Sequence, residues 1–362
     1  MSKAAELAAL IGSQTALSNR NLIINGAMQV AQRGTSSTTV GYQTVDRFPN
    51  SFGTIAVTQS QDTDVPSGEG FTKSLKQLIT TASSATDAFF SAYQVVEAQN
   101  LVNSGWDHTS PSSYITISFY AKASVTGTYT LQLRSDDGTA RNYNTQYSLT
   151  ADTWTRVIKT IPGNSGLTIN SDNGIGLYIF FNVEVGTDYS DNSIGFDGWV
   201  THNGSQQVAD LTNNLMTNVN STFHLTGVQI EVGEQATAFE HRSFGDELAK
   251  CQRYYIRKKA DSAYTFFGAG FNATTSSSRI HINFPVEMRA APTIGQSANS
   301  TFAIYSGVNS PGFSADATVN NPSTHGTALT TTHPSSTLSV GYGALLMANN
   351  STSAFLEFIA EL

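Results

Sequence analysis

The sequence predicts a mainly β chain, with a short N-terminal helix, an antiparallel sandwich, a short linker helix and a smaller C-terminal β-sandwich. Three observations carry this. Charged residues are only 13% of the 362, aromatics reach 10%, and Gly, Ser, Thr and Asn are abundant, a mixture suited to strands and turns more than to helices. Short runs alternating between apolar and polar residues recur, separated by turn clusters such as Asp136-Asp137-Gly138 and Pro162-Gly163-Asn164. Helical periodicity is confined to the N-terminus and to one stretch after Ser243.

In chain order, residues 2 to 17 place Leu7, Leu10 and Leu17 on a seam with Gln14 in the remaining position. A helix this short is marginal alone in water, so the stripe expects company: copies of itself, a docking surface on another protein, or its own domain. Residues 1–20 are assigned to assembly or attachment. Leu22 to Ile24, the turn pair Asn25-Gly26 and Met28 to Val30 suggest a hairpin. From there to residue 242 the expected strands are Ile55–Gln59, Phe71–Ile79, Phe89–Glu97, Tyr114–Ala121, Tyr129–Arg134, Thr145–Leu149, Arg156–Ile161, Leu177–Val185 and Leu225–Val232, with Trp199 to Ser221 read as an exposed loop. Ser243 opens a capping box with Asp246, and Phe244, Leu248, Cys251 and Tyr255 recur at helical spacing, which predicts a linker helix over 243–259. Phe239, Phe244 and Leu248 are expected to anchor that junction. Residues 260–362 form the second sandwich, with strands at Tyr264–Phe271, Arg279–Val286, Thr293–Gln296, Phe302–Ser306, Leu338–Tyr342 and Ala354–Ala360, and long loops between Asn309 and Ser336.

Two stretches carry a family likeness. Asn21 to Gly34 reads N-x-x-x-N-G-x-M-x-x-x-Q-R-G and is followed by Asp46-Arg47-Phe48; Leu225 to Gly233 reads LTGVQIEVG and continues through A-x-x-F-E-H-R-S-F-G-x-E-L to Cys251-Gln252-Arg253-Tyr254-Tyr255. This pattern resembles tail and fibre proteins of tailed bacteriophages, especially those of marine phages. The resemblance implies a jelly-roll domain like carbohydrate-binding modules, a place in the virion tail after synthesis in the host cytoplasm, a homotrimer, other tail proteins as partners, and host cell-surface polysaccharide as the target.

The residues also limit the chemistry. A net charge of −8 argues against a nucleic-acid partner, since phosphate neutralisation needs clustered Lys and Arg. Cys251 is the single cysteine, so no intramolecular disulfide is possible. The apolar run near the N-terminus is interrupted by Glu6, which gives neither a signal peptide nor a membrane insertion. No nucleophile elbow, phosphate loop or helical zinc pair occurs, and no cofactor is expected. Asp188, Asp191 and Asp197 concentrate oxygen ligands that suit calcium or an ordinary acidic turn. Sugar recognition needs exposed aromatic faces beside hydrogen-bonding groups. Trp106 and Trp199 in the first domain and Tyr305, Phe313 and Tyr342 in the distal one are the candidates, while Trp154 opens a strand and suits the core. The expectation is a non-enzymatic tail fibre or appendage that touches host glycans with its distal domain. A purely structural connector or capsid decoration, and a polysaccharide-degrading tail protein, are the alternatives.

Overall fold

The computed structural model describes residues 20–209, 215–307, 309–334 and 338–362. The N-terminal assembly residues Leu7, Leu10 and Leu17 lie outside the described residues. The chain divides into two compact units, Met1–Glu247 with Leu362, and Leu248–Glu361. Mainly antiparallel β-structure fills both, with two α-helices among the described residues.

The first unit is a sandwich of two six-stranded antiparallel sheets. With strands numbered in chain order, the first sheet runs β1 (Ser36–Ser37), β3 (Ala56–Asp62), β4 (Ser74–Thr81), β12 (Thr222–Val232), β6 (Tyr114–Ala123), β9 (Thr155–Pro162). The second runs β11 (Trp199–Thr201), β8 (Arg141–Leu149), β7 (Gly127–Ser135), β10 (Ile175–Val185), β5 (Phe89–Glu97), β2 (Asn50–Gly53). Alternation sends Ile115, Ile117 and Phe119 of β6 inward to meet Leu131 and Leu133 of β7 and Ile179 and Phe181 of β10 in one core. Phe119 packs edge-on against both Phe181 and Tyr147, with ring centroids 5.4 and 5.3 Å away, geometry that adds to simple area burial. A five-residue helix, α1 (Ala98–Val102), follows β5 directly.

The segment expected to be a hairpin forms no strands. Asn25 and Met28 take left-handed backbone angles, φ 61 and 57, which break a ladder. The segment lies instead along β12, with the Leu22 amide donating to the Ile230 carbonyl and the Val228 amide to that of Gly26. Asn25 fixes this shape with its own side chain, whose amide donates to the carbonyls of Val30 and Asp46 while its oxygen accepts from the Val30 amide. The stretch expected to be a loop from Trp199 contributes the short edge strand β11.

The helix α2 (Phe244–Gln252) starts where the capping box places it. The Asp246 amide donates to Ser243 Oγ at 3.2 Å. It ends earlier than expected, because Tyr255–Lys259 is strand β13 paired with β21 (Phe355–Ile359), and β16 (Thr293–Gln296) completes that sheet on the other side of β21. Tyr255 and Ile256 are buried in the second unit, and two β-favouring residues gain more there than from another helical turn. The second sheet of this unit runs β17 (Phe302–Tyr305), β20 (Gly343–Ala348), β14 (Phe266–Asn272), β15 (Ser277–Asn283), β19 (Gly326–Thr332), β18 (Ala315–Asn320). The last two form a hairpin inside the stretch expected to be loop, since the Thr-rich run from Gly326 alternates in the strand sense. Strand β20 begins just after Tyr342, where the strand Leu338–Tyr342 was expected to end.

Candidate functional site

The outer face of the β11-β8-β7-β10-β5-β2 sheet carries a cluster of half-exposed aromatic and polar side chains. On β10, Leu177, Ile179 and Phe181 are core residues, so Tyr178 and Phe180 point the other way. Register puts Tyr93 of β5 opposite Phe180 and Arg134 of β7 opposite Tyr178. The three rings make one platform, with Tyr178 stacked on Phe180 at 5.7 Å and 13°, and Tyr93 5.0 Å from Phe180. The Arg134 guanidinium sits 4.3 Å above the Tyr178 ring and is clamped by Asp136, with Nε to Oδ1 at 3.0 Å. That pairing holds a cation over the platform.

Beside the platform a cleft of about 280 Å³ opens over Phe180, Val183, Val185 and Ser91, with Phe89 and Tyr189 at its side. Tyr189 belongs to the segment after β10, which folds back over the sheet. The Gln207 amide donates to the Tyr189 carbonyl, and the Gln207 carbonyl accepts from Gln132 Nε2 at 2.8 Å and Asn144 Nδ2 at 3.0 Å. Gln132 and Asn144 also bond each other at 2.9 Å, so buried amides on two strands lock one wall in place. The result is an apolar and aromatic floor with a few fixed polar groups, the usual make-up of a small-molecule or oligomer site.

The sequence-predicted contact residues divide. Trp106 is 3% exposed and Phe313 is 8% exposed, and neither presents a ring face to a ligand. Trp106 belongs to the first core, and Phe313 stacks on Phe302 at 5.3 Å. Trp199 is half-buried at the sheet edge, its indole N–H donating to the Pro162 carbonyl and its ring packed on Tyr143. Tyr305 and Tyr342 are exposed on the second unit. Asp188, Asp191 and Asp197 are not brought together: Asp188 accepts from Thr86, and Asp191 from Ser193 and Gln206, and no metal-competent cluster exists among the described residues. Of the junction residues, Phe244 is 56% exposed, while Leu248 and Phe239 are half-buried.

Tyr93, Arg134, Tyr178 and Phe180 were not foreseen from the sequence. The available signal was the run Leu177-Tyr178-Ile179-Phe180-Phe181, which is apolar or aromatic on both faces. In an antiparallel sandwich only one face meets the core, so its second aromatic row has to lie outside.

No family model matches the chain, and no curated protein matches it. Among solved structures, the enzymatically active domain of tailspike protein 4 from bacteriophage CBA120 overlaps 59% of this chain and 22% of its own, with 13% identity and a TM-score of 0.34. The chain thus spans about a fifth of that protein's length. The family 11 carbohydrate-binding module of a Clostridium thermocellum cellulase overlaps 56% of this chain and 96% of its own, at 10% identity and TM-score 0.30. The xylan-binding domain of Paenibacillus barcinonensis Xyn10C gives 57% and 99%, at 12% and 0.26.

Proposed function

We propose that this chain is a non-enzymatic glycan-binding protein of a phage tail, and that the first sandwich makes the contact. The observation that carries the reading is the Tyr93–Tyr178–Phe180 platform with Arg134 laid over it, continuous with a cleft on an exposed sheet face. Sugar rings present apolar C–H faces that stack on aromatic rings, while their hydroxyls need fixed donors and acceptors. A groove of rings flanked by Ser, Gln and Arg side chains supplies both. Glycoside hydrolysis needs two carboxylates across the scissile bond, and no described Asp or Glu lines this cleft, which supports binding without cleavage. The resemblance of the 21–34 and 225–255 motifs to tail proteins supports the virion setting and host polysaccharide as the target. Repetition of the chain in a trimer would let weak single contacts add by avidity.

The test is a glycan array with the full chain, followed by titration of the best ligand into a Tyr178→Ala/Phe180→Ala variant. Retained binding in that variant overturns the cleft assignment. Release of reducing ends from the bound polysaccharide overturns the non-enzymatic reading. Silence across host-derived polysaccharides favours a structural role in the virion.

A further inference from the structure

A second pocket lies on the outer face of the opposite sheet of the same unit, and the proposed cleft does not use it. Its floor is made by Ser118 and Tyr120 of β6 and by Gly227 of β12. Gly227 is where β12 bulges, since the register with β6 jumps between Thr226 and Gln229. Its φ is +62, and a Cβ there would lie 2.6 Å from Phe71 and 2.9 Å from Tyr120, so only glycine lets the backbone pass beneath these rings.

One wall is the segment from Thr237 to His241, and it is pinned from below. Glu231 accepts from the Thr237 amide and hydroxyl at 2.8 Å each, and Gln229 Oε1 accepts from the Glu240 amide at 2.8 Å. Phe71, Phe239 and His241 pack on one another with centroids 4.9 to 5.2 Å apart, and Phe71 also meets Tyr120 at 5.6 Å. Two ionic groups close the ring. Arg156 stands beside Tyr120 in the β6–β9 register and gives one N–H to the Thr237 carbonyl at 2.8 Å, leaving the rest of its fork of donors for another acceptor. Glu69 lines the pocket beside Tyr120, and its charge acts on the phenol. The phenol, pushed up to about 12 by burial and then by Glu69, stays a donor at any physiological pH.

The pocket volume is about 200 Å³, the scale of one sugar ring. A guanidinium fork fits a carboxylate, and the Glu69 and Ser118 oxygens fit ring hydroxyls. From this arrangement we propose a second site that binds a single acidic sugar residue, its carboxylate on Arg156 and its hydroxyls on Glu69 and Ser118. The chain then has two glycan contacts of different kinds, one groove for a run of residues and one pocket for a single charged residue.

The experiment is a titration of the full chain with sodium galacturonate, and separately with methyl glucoside, followed by calorimetry or protein-observed NMR. Saturable binding of galacturonate is expected, with glucoside at least tenfold weaker. Arg156→Ala and Glu69→Gln, both at exposed positions, are expected to weaken galacturonate tenfold or more. The cleft variant Tyr178→Ala/Phe180→Ala is expected to leave it unchanged. No saturable binding overturns the proposal, as does equal affinity for glucoside or indifference to both pocket substitutions. Loss of galacturonate binding in the cleft variant alone assigns the ligand to the cleft and overturns the second site, while leaving the cleft reading intact.

Discussion

Phe180 and Phe181 are neighbours in sequence with opposite duties, and substitution separates them. Phe181→Ala opens a cavity in the sandwich core and is expected to lower unfolding free energy by about 3–5 kcal/mol, measured by denaturant titration. Phe180→Ala is expected to leave folding nearly intact and to weaken glycan binding by about tenfold or more, a loss of ~1.4 kcal/mol. Phe244→Ala, on an exposed ring, is expected to shift stability by no more than about 0.5 kcal/mol. Two buried titratable groups oppose each other in their pH dependence. Burial pushes the Glu184 carboxyl, whose Oε1 accepts from the Met216 amide, up to about 8. The folded state then holds a proton that the unfolded state releases near its ordinary carboxylate value, so this group makes stability fall as pH rises toward 8. Burial, and then the Lys122 charge, hold the His224 imidazole down to about 4. Here the unfolded state takes the proton first, so stability is lost as pH falls from about 6.5. Between about pH 4.5 and 6.5 the two slopes offset, and above pH 6.5 only the Glu184 effect of the pair remains. Glu184→Gln is expected to flatten the decline from pH 6.5 to 8 in thermal unfolding; an unchanged slope would show that this carboxyl does not carry it.

Among the elements, β5 runs over Phe89–Glu97, the span that its sequence pattern predicts, and most strands of the first sandwich fall within a few residues of expectation. Alternation against a single core makes strands legible, because a one-residue slip would invert every side chain. The platform was not legible for a related reason. Its partners come from β5, β7 and β10, brought into line by a register that is itself shifted by a bulge between Phe180 and Asn182, and no local pattern encodes that pairing. The Phe239-Glu240-His241-Arg242 motif shows the same limit. It reads as a junction in sequence, yet it alternates within the first unit. Phe239 and His241 face the second pocket, while Arg242 donates to the Ile23 and Asn21 carbonyls at 3.1 and 2.6 Å and pairs with Glu240 and Glu247. Arg242→Met removes one member of a buried charge group and is expected to cost about 3–5 kcal/mol. Gly227→Ala, which places a methyl into Phe71 at a left-handed backbone angle, is expected to cost about 1–3 kcal/mol.

At the scale of the molecule, each unit has its own apolar core, the first built on Phe119 and Phe181 and the second on Phe302 and Phe358. A fragment ending at Glu247 is therefore expected to fold and to bind the glycan with the affinity of the full chain. Binding that needs residues 248–362 would instead move the contact to the second unit, where Tyr305 and Tyr342 are exposed. The staple formed by Arg242 and Glu247 joins the two ends of the first unit across more than two hundred residues of chain, since Glu247 Oε1 also accepts from the Asn25 amide. Pulling on the unit through those ends loads this clasp together with the contacts of Arg20, Asn21 and Leu22 on β12 and on the segment after it. A protein tethered at one side and holding a ligand on its flank would then share tension between these charge-assisted bonds and the backbone bonds that tie its first residues to β12.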